Sequence, residues 1–310
     1  MIVALAGGVG GARLAYGLSK IKGEALAVIV NTGDDFEHLG LSICPDIDTM
    51  LYTLAGWANP ETGWGVDGDS WSFMDQLGKL GGPIWFKLGD RDLAIHVQRS
   101  HWLRQGDRLG KITSRLAQAM GIASTVLPMS EDAVRTKLET DQGDLDFQDY
   151  FVRLQAKPLV RAIRFEGASS ARPTPAAMEA FDAAKAIIIC PSNPYLSIDP
   201  ILSVPGYREC LQRRIIPCIA VSPIIGGAAV KGPAAKLMQE LGAEVSCVGV
   251  AKKYAGLIDG LVIDGVDEGL ADAILACGIK PLATKSLMRS LQDRIDLAQQ
   301  TLDFALSLQR

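Results

Sequence analysis

The sequence predicts an α/β fold built on a doubly wound, mostly parallel sheet, and three observations predict it. Short apolar runs suited to strands buried on both faces recur along the 310 residues: Ile2 to Ala6, Ala25 to Val30, Ala186 to Cys190, Ile216 to Val221 and Leu261 to Ile263. Helix signals separate several of these runs. Four of them end in turns rich in Gly, Pro, Ser, Asn or Asp, where an open parallel sheet places its ligand crevice. The core is therefore expected to be Rossmann-like and to span residues 1–58 and 180–310. A mixed α+β subdomain, 59–179, is expected to be inserted between the two parts and to cover the site.

The first element sets the chemistry. Gly7-Gly8-Val9-Gly10-Gly11 follows the first apolar run and opens a helical run, Ala12 to Lys20. Glycines let a backbone turn tightly and approach a ligand. The free N–H groups and dipole at a helix start favour an anion, typically phosphate. The loop lacks the Lys of a P-loop, and the third position of the dinucleotide fingerprint is Arg13, itself a candidate phosphate ligand.

The second run ends in Asn31-Thr32-Gly33-Asp34-Asp35. Cys44-Pro45-Asp46-Ile47-Asp48-Thr49 follows, with a helix expected from Thr49 to Ala55. Carboxylates beside a phosphate loop suggest Mg²⁺, which takes oxygen ligands and bridges to phosphates. Turn formation and helix capping by Asp are the bland alternative.

The middle of the chain changes character. Trp64, Trp71, Trp85 and Trp102 concentrate there, and Leu109, Ile112, Leu116 and Met120 recur at helical spacing. Short β-like runs follow at Thr125 to Leu127, Val134 to Leu138 and Val160 to Phe165. Within Trp85-Phe86-Lys87-Leu88-Gly89-Asp90-Arg91-Asp92-Leu93, the cations Lys87 and Arg91 sit near aromatics, an arrangement suited to a phosphate and a flat ring; the bland alternative is a strand-turn-helix junction with Asp90 as cap and Arg91 in a surface ion pair.

In the last third, Ser192 and Asn193 end one strand and Lys231 follows the Gly226-Gly227 turn. Hydroxyl and amide groups here suit a base or sugar, and Lys231 suits phosphate. Val245 to Val250 reads as a strand, and a helix is expected near Pro233. Ser286 to Leu308 reads as a long helix with Leu287, Leu291, Ile295 and Leu302 on one face.

Composition excludes other classes. A net charge of −4 gives no footprint for nucleic acid or an anionic membrane surface. The six cysteines contain no Cys-x-x-Cys pair, and the three histidines lack metal-ligand spacing. No apolar run reaches transmembrane length. A cytoplasmic location is the expectation.

Seven stretches, taken together, resemble the 2-phospho-L-lactate transferase family of coenzyme F420 biosynthesis. They are AGGVGGARLAYGL (6–18), VNTGDDFEHLGLSICPDIDTMLYTLAG (30–56), NPETGWG (59–65), WFKLGDRDLA (85–94), LPMSED (127–132), CPSNPYLSI (190–198) and SPIIGGAAVKGPAAKLM (222–238). The resemblance implies a guanylyl-diphospho three-carbon acid as donor and 7,8-didemethyl-8-hydroxy-5-deazariboflavin as acceptor. GMP leaves, and the product is the F420 precursor without glutamates.

With that resemblance in view, Asp48 and Lys87 are the expected catalytic residues and deazaflavin contacts. Asp35 and Asp48 are expected to hold Mg²⁺. Gly8, Gly10, Gly11, Arg13, Asp34, Asp46, Asp90, Arg91, Ser192, Asn193 and Lys231 are expected to bind substrate. A homodimer is expected from the family and from the apolar terminal helix. Two rival readings stand beside this one: a nucleotide-sugar-binding regulator without chemistry, and an NAD-dependent oxidoreductase with Asp34 or Asp35 on the ribose.

Overall fold

The computed structural model describes residues 1–309. Seven parallel strands form the central sheet: β1 Ile2–Ala6, β2 Leu26–Val30, β3 Thr125–Pro128, β4 Ala186–Ile189, β5 Cys218–Val221, β6 Gly260–Asp264 and β7 Lys280–Thr284. Their spatial order is β3-β2-β1-β4-β5-β6-β7. The chain therefore winds outward from β1 in one direction, then restarts at β4 and winds in the other. That reversal is the expected doubly wound topology, and its switch point lies between β1 and β4.

The strands are short and apolar because both faces are covered. Val3 and Leu5 of β1 face one apolar layer, which includes Tyr207, Leu211 and Val250. Ile2, Ala4 and Ala6 face the other, which includes Leu14, Leu18, Ile47, Leu51, Leu297 and Leu302. This second layer contains helix α1, Gly8–Lys22, helix α2, Pro45–Ala55, and the terminal helix Leu291–Ser307.

Several local readings are corrected. Helix α2 begins at Pro45, four residues before the expected start, because proline suits the first helical position and Asp46 and Asp48 complement the dipole in the first turn. Val245–Val250 is not a strand: Cys247–Tyr254 is a helix, capped by Ser246, whose side chain accepts from the Gly249 N–H. The Lys280–Thr284 edge strand was not expected. Along the terminal helix, Leu291 is exposed, whereas Leu297, Ala298, Thr301, Leu302 and Ala305 are buried. The helix packs on α1, where Gly17 admits the Arg294 carbonyl at a distance no Cβ would allow. Much of its apolar face is thus covered within the chain, while Leu291 and Leu306 stay exposed.

Within 59–179 the chain returns to the main sheet, because Thr125–Pro128 pairs with β2 and the Leu109–Ala119 helix joins the second apolar layer. The remainder holds the Asp90–Arg104 helix and a three-stranded antiparallel sheet of Arg135–Thr140, Gly143–Asp146 and Val160–Glu166. All six cysteines are free. Among the described residues, no helix is long and apolar enough to cross a membrane.

Candidate active site

A cleft of about 600 Å³ opens at the switch point, where the loops after β1 and β4 meet. Gly8, Gly10, Arg13, Asp34, Asp46, Asp48, Lys87, Ser192, Asn193 and Lys231 line it, as do residues of the two flanking loop systems. Four expected site residues do not line it: Gly11, Asp35, Asp90 and Arg91.

The glycines seat one loop on the other as well as shaping the cleft. A Cβ on Gly10 would collide with the Pro191 carbonyl, and one on Gly11 with the Ser192 hydroxyl. Gly8 takes a positive φ of 62°, which favours glycine. Two N–H groups at the start of α1 are already engaged. Gly7 donates to Ser192 Oγ at 3.1 Å, and Gly8 donates to Asp46 Oδ1 at 2.7 Å. Further first-turn N–H groups have no partner within the helix.

Asp46 is held from the other side by Asn31, whose Nδ2 donates to Asp46 Oδ2 at 2.9 Å. Burial pushes the Asp46 carboxyl up to about 6, against the opposing pull of Asn31 and the Gly8 N–H. Burial also raises Asp34 well above the usual carboxylate range, with repulsion from Asp46 adding to it. Asp35 is pushed up to about 7, chiefly by burial. Asp34 Oδ1, Asp35 Oδ1 and Thr32 Oγ1 are buried without a hydrogen-bond partner. Hard oxygens of this kind suit a divalent cation, and of these three residues Asp34 lines the cleft. Among the described residues, no three His, Cys, Asp or Glu side chains are grouped to hold a metal by themselves. The fit is therefore to an ion that completes its shell with ligand phosphates.

Asp48 has a different environment. The buried Arg99 guanidinium grips both of its oxygens, NH1 at 3.1 Å from Oδ2 and NH2 on Oδ1. Burial works against the Arg99 charge, but the Asp48 carboxylate more than offsets it and holds the guanidinium charged. Beside this pair, His96 Nδ1 lies 3.6 Å from Asp48 Oδ2 and His96 Nε2 lies 3.0 Å from Asp92 Oδ1. The Tyr52 hydroxyl donates to the same Asp92 oxygen. Asp48, Tyr52, Asp92 and His96 all line the cleft.

Arg13 and Lys231 line the same cleft. Among the described residues, neither Arg13 nor Lys231 forms an ion pair. Lys231 Nζ donates to the Thr62 carbonyl, and burial together with the Arg13 charge lowers its pKa. Arg294, behind them, also feels Arg13, and its Nε is buried without a partner. Unpaired cations beside a helix N-terminus make an anion site.

Aromatic rings line the cleft. Trp64, Trp85 and Phe86 contribute, with Trp85 packed against Phe86 at 5.7 Å and Phe36 edge-on to Phe86 at 4.8 Å. Phe147 and Phe151 also line it, stacked at 5.4 Å with an 18° tilt. Lys87 lies at the rim, its Nζ 5.9 Å from the Trp71 ring centre.

Two expected site residues have structural partners instead. Asp90 accepts from Ser70 Oγ at 2.6 Å, Ser72 N at 3.0 Å and Phe73 N at 2.9 Å, so it pins the Ser72–Lys79 helix start. Arg91 donates to the Asp67 carbonyl at 3.1 Å. Asn193 Oδ1 caps the turn after β4 through Tyr195 N and Leu196 N, and its amide nitrogen has no partner among the described residues. Sequence reading assigned no role to Asn31, Tyr52, Asp92, His96, Arg99, Phe147 or Phe151. The one signal available was the Asp92/His96 spacing of four within a helix.

Fold and site together define a doubly wound α/β protein whose switch-point crevice is lined by a glycine loop, carboxylates, two unpaired cations and aromatic rings. The chain belongs to the 2-phospho-L-lactate transferase CofD family, whose model matches residues 2–281. It is 41% identical over 311 residues to a phosphoenolpyruvate transferase of Streptomyces griseus, covering 98% of each chain. It is 39% identical over 313 residues to a 2-phospho-L-lactate transferase of Methanocaldococcus jannaschii, covering 99% of each. A crystal structure of a UPF0052-family protein from Bacillus halodurans superposes with a TM-score of 0.63 at 14% identity, covering 97% of this chain and 98% of that one. At that identity the likeness shows the fold alone.

Proposed function

We propose that the protein transfers a phospho-three-carbon acid from a guanylyl-diphospho donor to the terminal ribityl hydroxyl of 7,8-didemethyl-8-hydroxy-5-deazariboflavin. The hydroxyl oxygen forms a bond to the phosphorus next to the acid, the diphosphate P–O bond breaks, and GMP leaves. The observation that supports this most is one cleft that joins an anion-binding helix start and free cations to aromatic rings, in a chain of this family.

Phosphoryl transfer of this kind depends on positioning and charge neutralisation more than on covalent catalysis. The first turn of α1, Arg13 and Lys231 would bind the diphosphate. Ser192 and the Asn193 amide would bind the guanosine side. Trp64, Trp85, Phe86, Phe147 and Phe151 would sandwich the flat deazaflavin, with Lys87 at its edge. Mg²⁺, when bound, would neutralise diphosphate charge. Asp34, which lines the cleft with its Oδ1 orphaned, is the carboxylate best suited to hold it, with the rest of the shell supplied by the diphosphate. Asp48 is turned to Arg99, which favours a role as a fixed anion over one as metal ligand or proton acceptor.

Relatives named for phosphoenolpyruvate and for 2-phospho-L-lactate are almost equally similar, at 41% and 39%. Identity therefore does not choose the acid. Incubation with Mg²⁺, the deazaflavin and each guanylylated acid (phospholactate, phosphoenolpyruvate or phosphoglycerate), read by mass spectrometry, tests the reaction and names the donor. Product with equimolar GMP is expected from one donor. Nucleotide-sugar binding with no turnover of any donor would favour the regulator reading.

A further inference from the structure

Two carboxylates stand together on the α2 side of the cleft, and their surroundings differ. Asp48 has both oxygens on Arg99 and is buried, with 4% of its surface exposed. Arg99 is fully buried and also donates from NH1 to the Ser42 carbonyl at 3.2 Å, so this pair is locked from behind. Asp92 is braced on one oxygen only. Its Oδ1 receives the Tyr52 hydroxyl and lies 3.0 Å from His96 Nε2, whereas no described residue donates to Oδ2. Its side chain remains 13% exposed and lines the cleft. It sits at the start of the Asp90–Arg104 helix, which directly follows the Trp85-Phe86-Lys87 segment of the aromatic lining. The backbone N–H of Asp92 donates to Asp69 Oδ2 at 3.1 Å, which fixes the residue's main chain.

We propose that Asp92, through its open Oδ2, is the residue that binds a hydroxyl of the acceptor's polyhydroxylated chain, and that His96 and Tyr52 are positioning residues that hold it for this. A carboxylate with one oxygen braced and the other open is a directed acceptor for an O–H donor, and hydrogen bonds to charged groups are the strong ones. Asp48, by contrast, contributes a fixed negative charge next to the same chain. The assignment rests on the transferase reading of the cleft.

Binding titrations separate the two ideas. The full-length protein is titrated with the deazaflavin and, separately, with GMP, for wild type, Asp92→Asn, Asp92→Ala, His96→Gln and Tyr52→Phe. The Asp92 variants are expected to raise the deazaflavin Kd about tenfold to hundredfold, the loss expected of a hydrogen bond to a charged group, with GMP Kd unchanged. His96→Gln and Tyr52→Phe are expected to raise it less. A purely structural role would lower Tm and leave the deazaflavin Kd alone. An unchanged deazaflavin Kd in both Asp92 variants overturns the assignment while leaving the transferase reading intact. No binding of deazaflavin to the wild type removes both.

Discussion

Arg99→Met gives the sharpest physical test of the site's architecture. Arg99 is 0% exposed and Asp48 4%, and the two share a bidentate contact. Removing the guanidinium leaves a buried carboxylate whose nearest remaining cationic candidate is His96 Nδ1 at 3.6 Å. Breaking a buried pair from one side costs about 3–5 kcal/mol, because one charge is left without compensation. Neutralising the other partner as well removes that charge, so adding Asp48→Asn should return at least about half of the loss. Urea denaturation of wild type, both single variants and the double variant measures the cycle, with slopes checked for constancy. A cost below about 1 kcal/mol for Arg99→Met, or a double variant no more stable than Arg99→Met alone, would refute the reasoning.

Three further outcomes follow from the structure. Asp35 has a folded-state pKa of about 7 against an ordinary 3.8, so its contribution to stability falls as pH rises between about 4 and 7. In metal-free buffer, Asp35→Asn should therefore be more stable than wild type at pH 8 by on the order of a few kcal/mol and lose that advantage near pH 4; an equal difference at both pH values would contradict this. Gly17→Ala should lower stability by roughly 1–3 kcal/mol or more, since the new Cβ meets the Arg294 carbonyl of the packed terminal helix; thermal melts would show it. Arg13→Ala and Lys231→Ala should each weaken GMP binding by about tenfold and reduce its salt dependence, measured by calorimetry at two ionic strengths.

The parts of the fold legible in the sequence were those with local signals. β1, β2, β4, β5 and β6 are continuous apolar runs, and the Gly7–Gly11 turn marks the switch point directly. The acidic cluster was legible in part: Asp34 follows β2, whereas Asp46 and Asp48 open α2 after a separate two-stranded hairpin, Phe36–His38 with Leu41–Ile43. Ser246 shows how a cap overrides an apolar run: its side chain accepts from Gly249 N and starts a helix where Val245–Val250 reads as a strand. What remained hidden were partnerships across long stretches of chain. Arg99 and Asp48 are 51 residues apart, and nothing near either one names the other. Asp90 and Arg91 looked like ligands because they lie beside aromatics, yet their partners Ser70, Phe73 and Asp67 come from a loop without regular structure ahead of them and from the helix start that Asp90 pins.

The most direct test of the central claim follows one oxygen atom. Deazaflavin carrying ¹⁸O in its terminal ribityl hydroxyl would be turned over with the guanylylated donor and Mg²⁺, and both products examined by mass spectrometry. The account predicts that the label stays in the phosphodiester bridge and that the released GMP carries none. A product whose bridge has lost the label, or GMP that has gained it, would contradict attack by the ribityl oxygen on the phosphorus beside the acid.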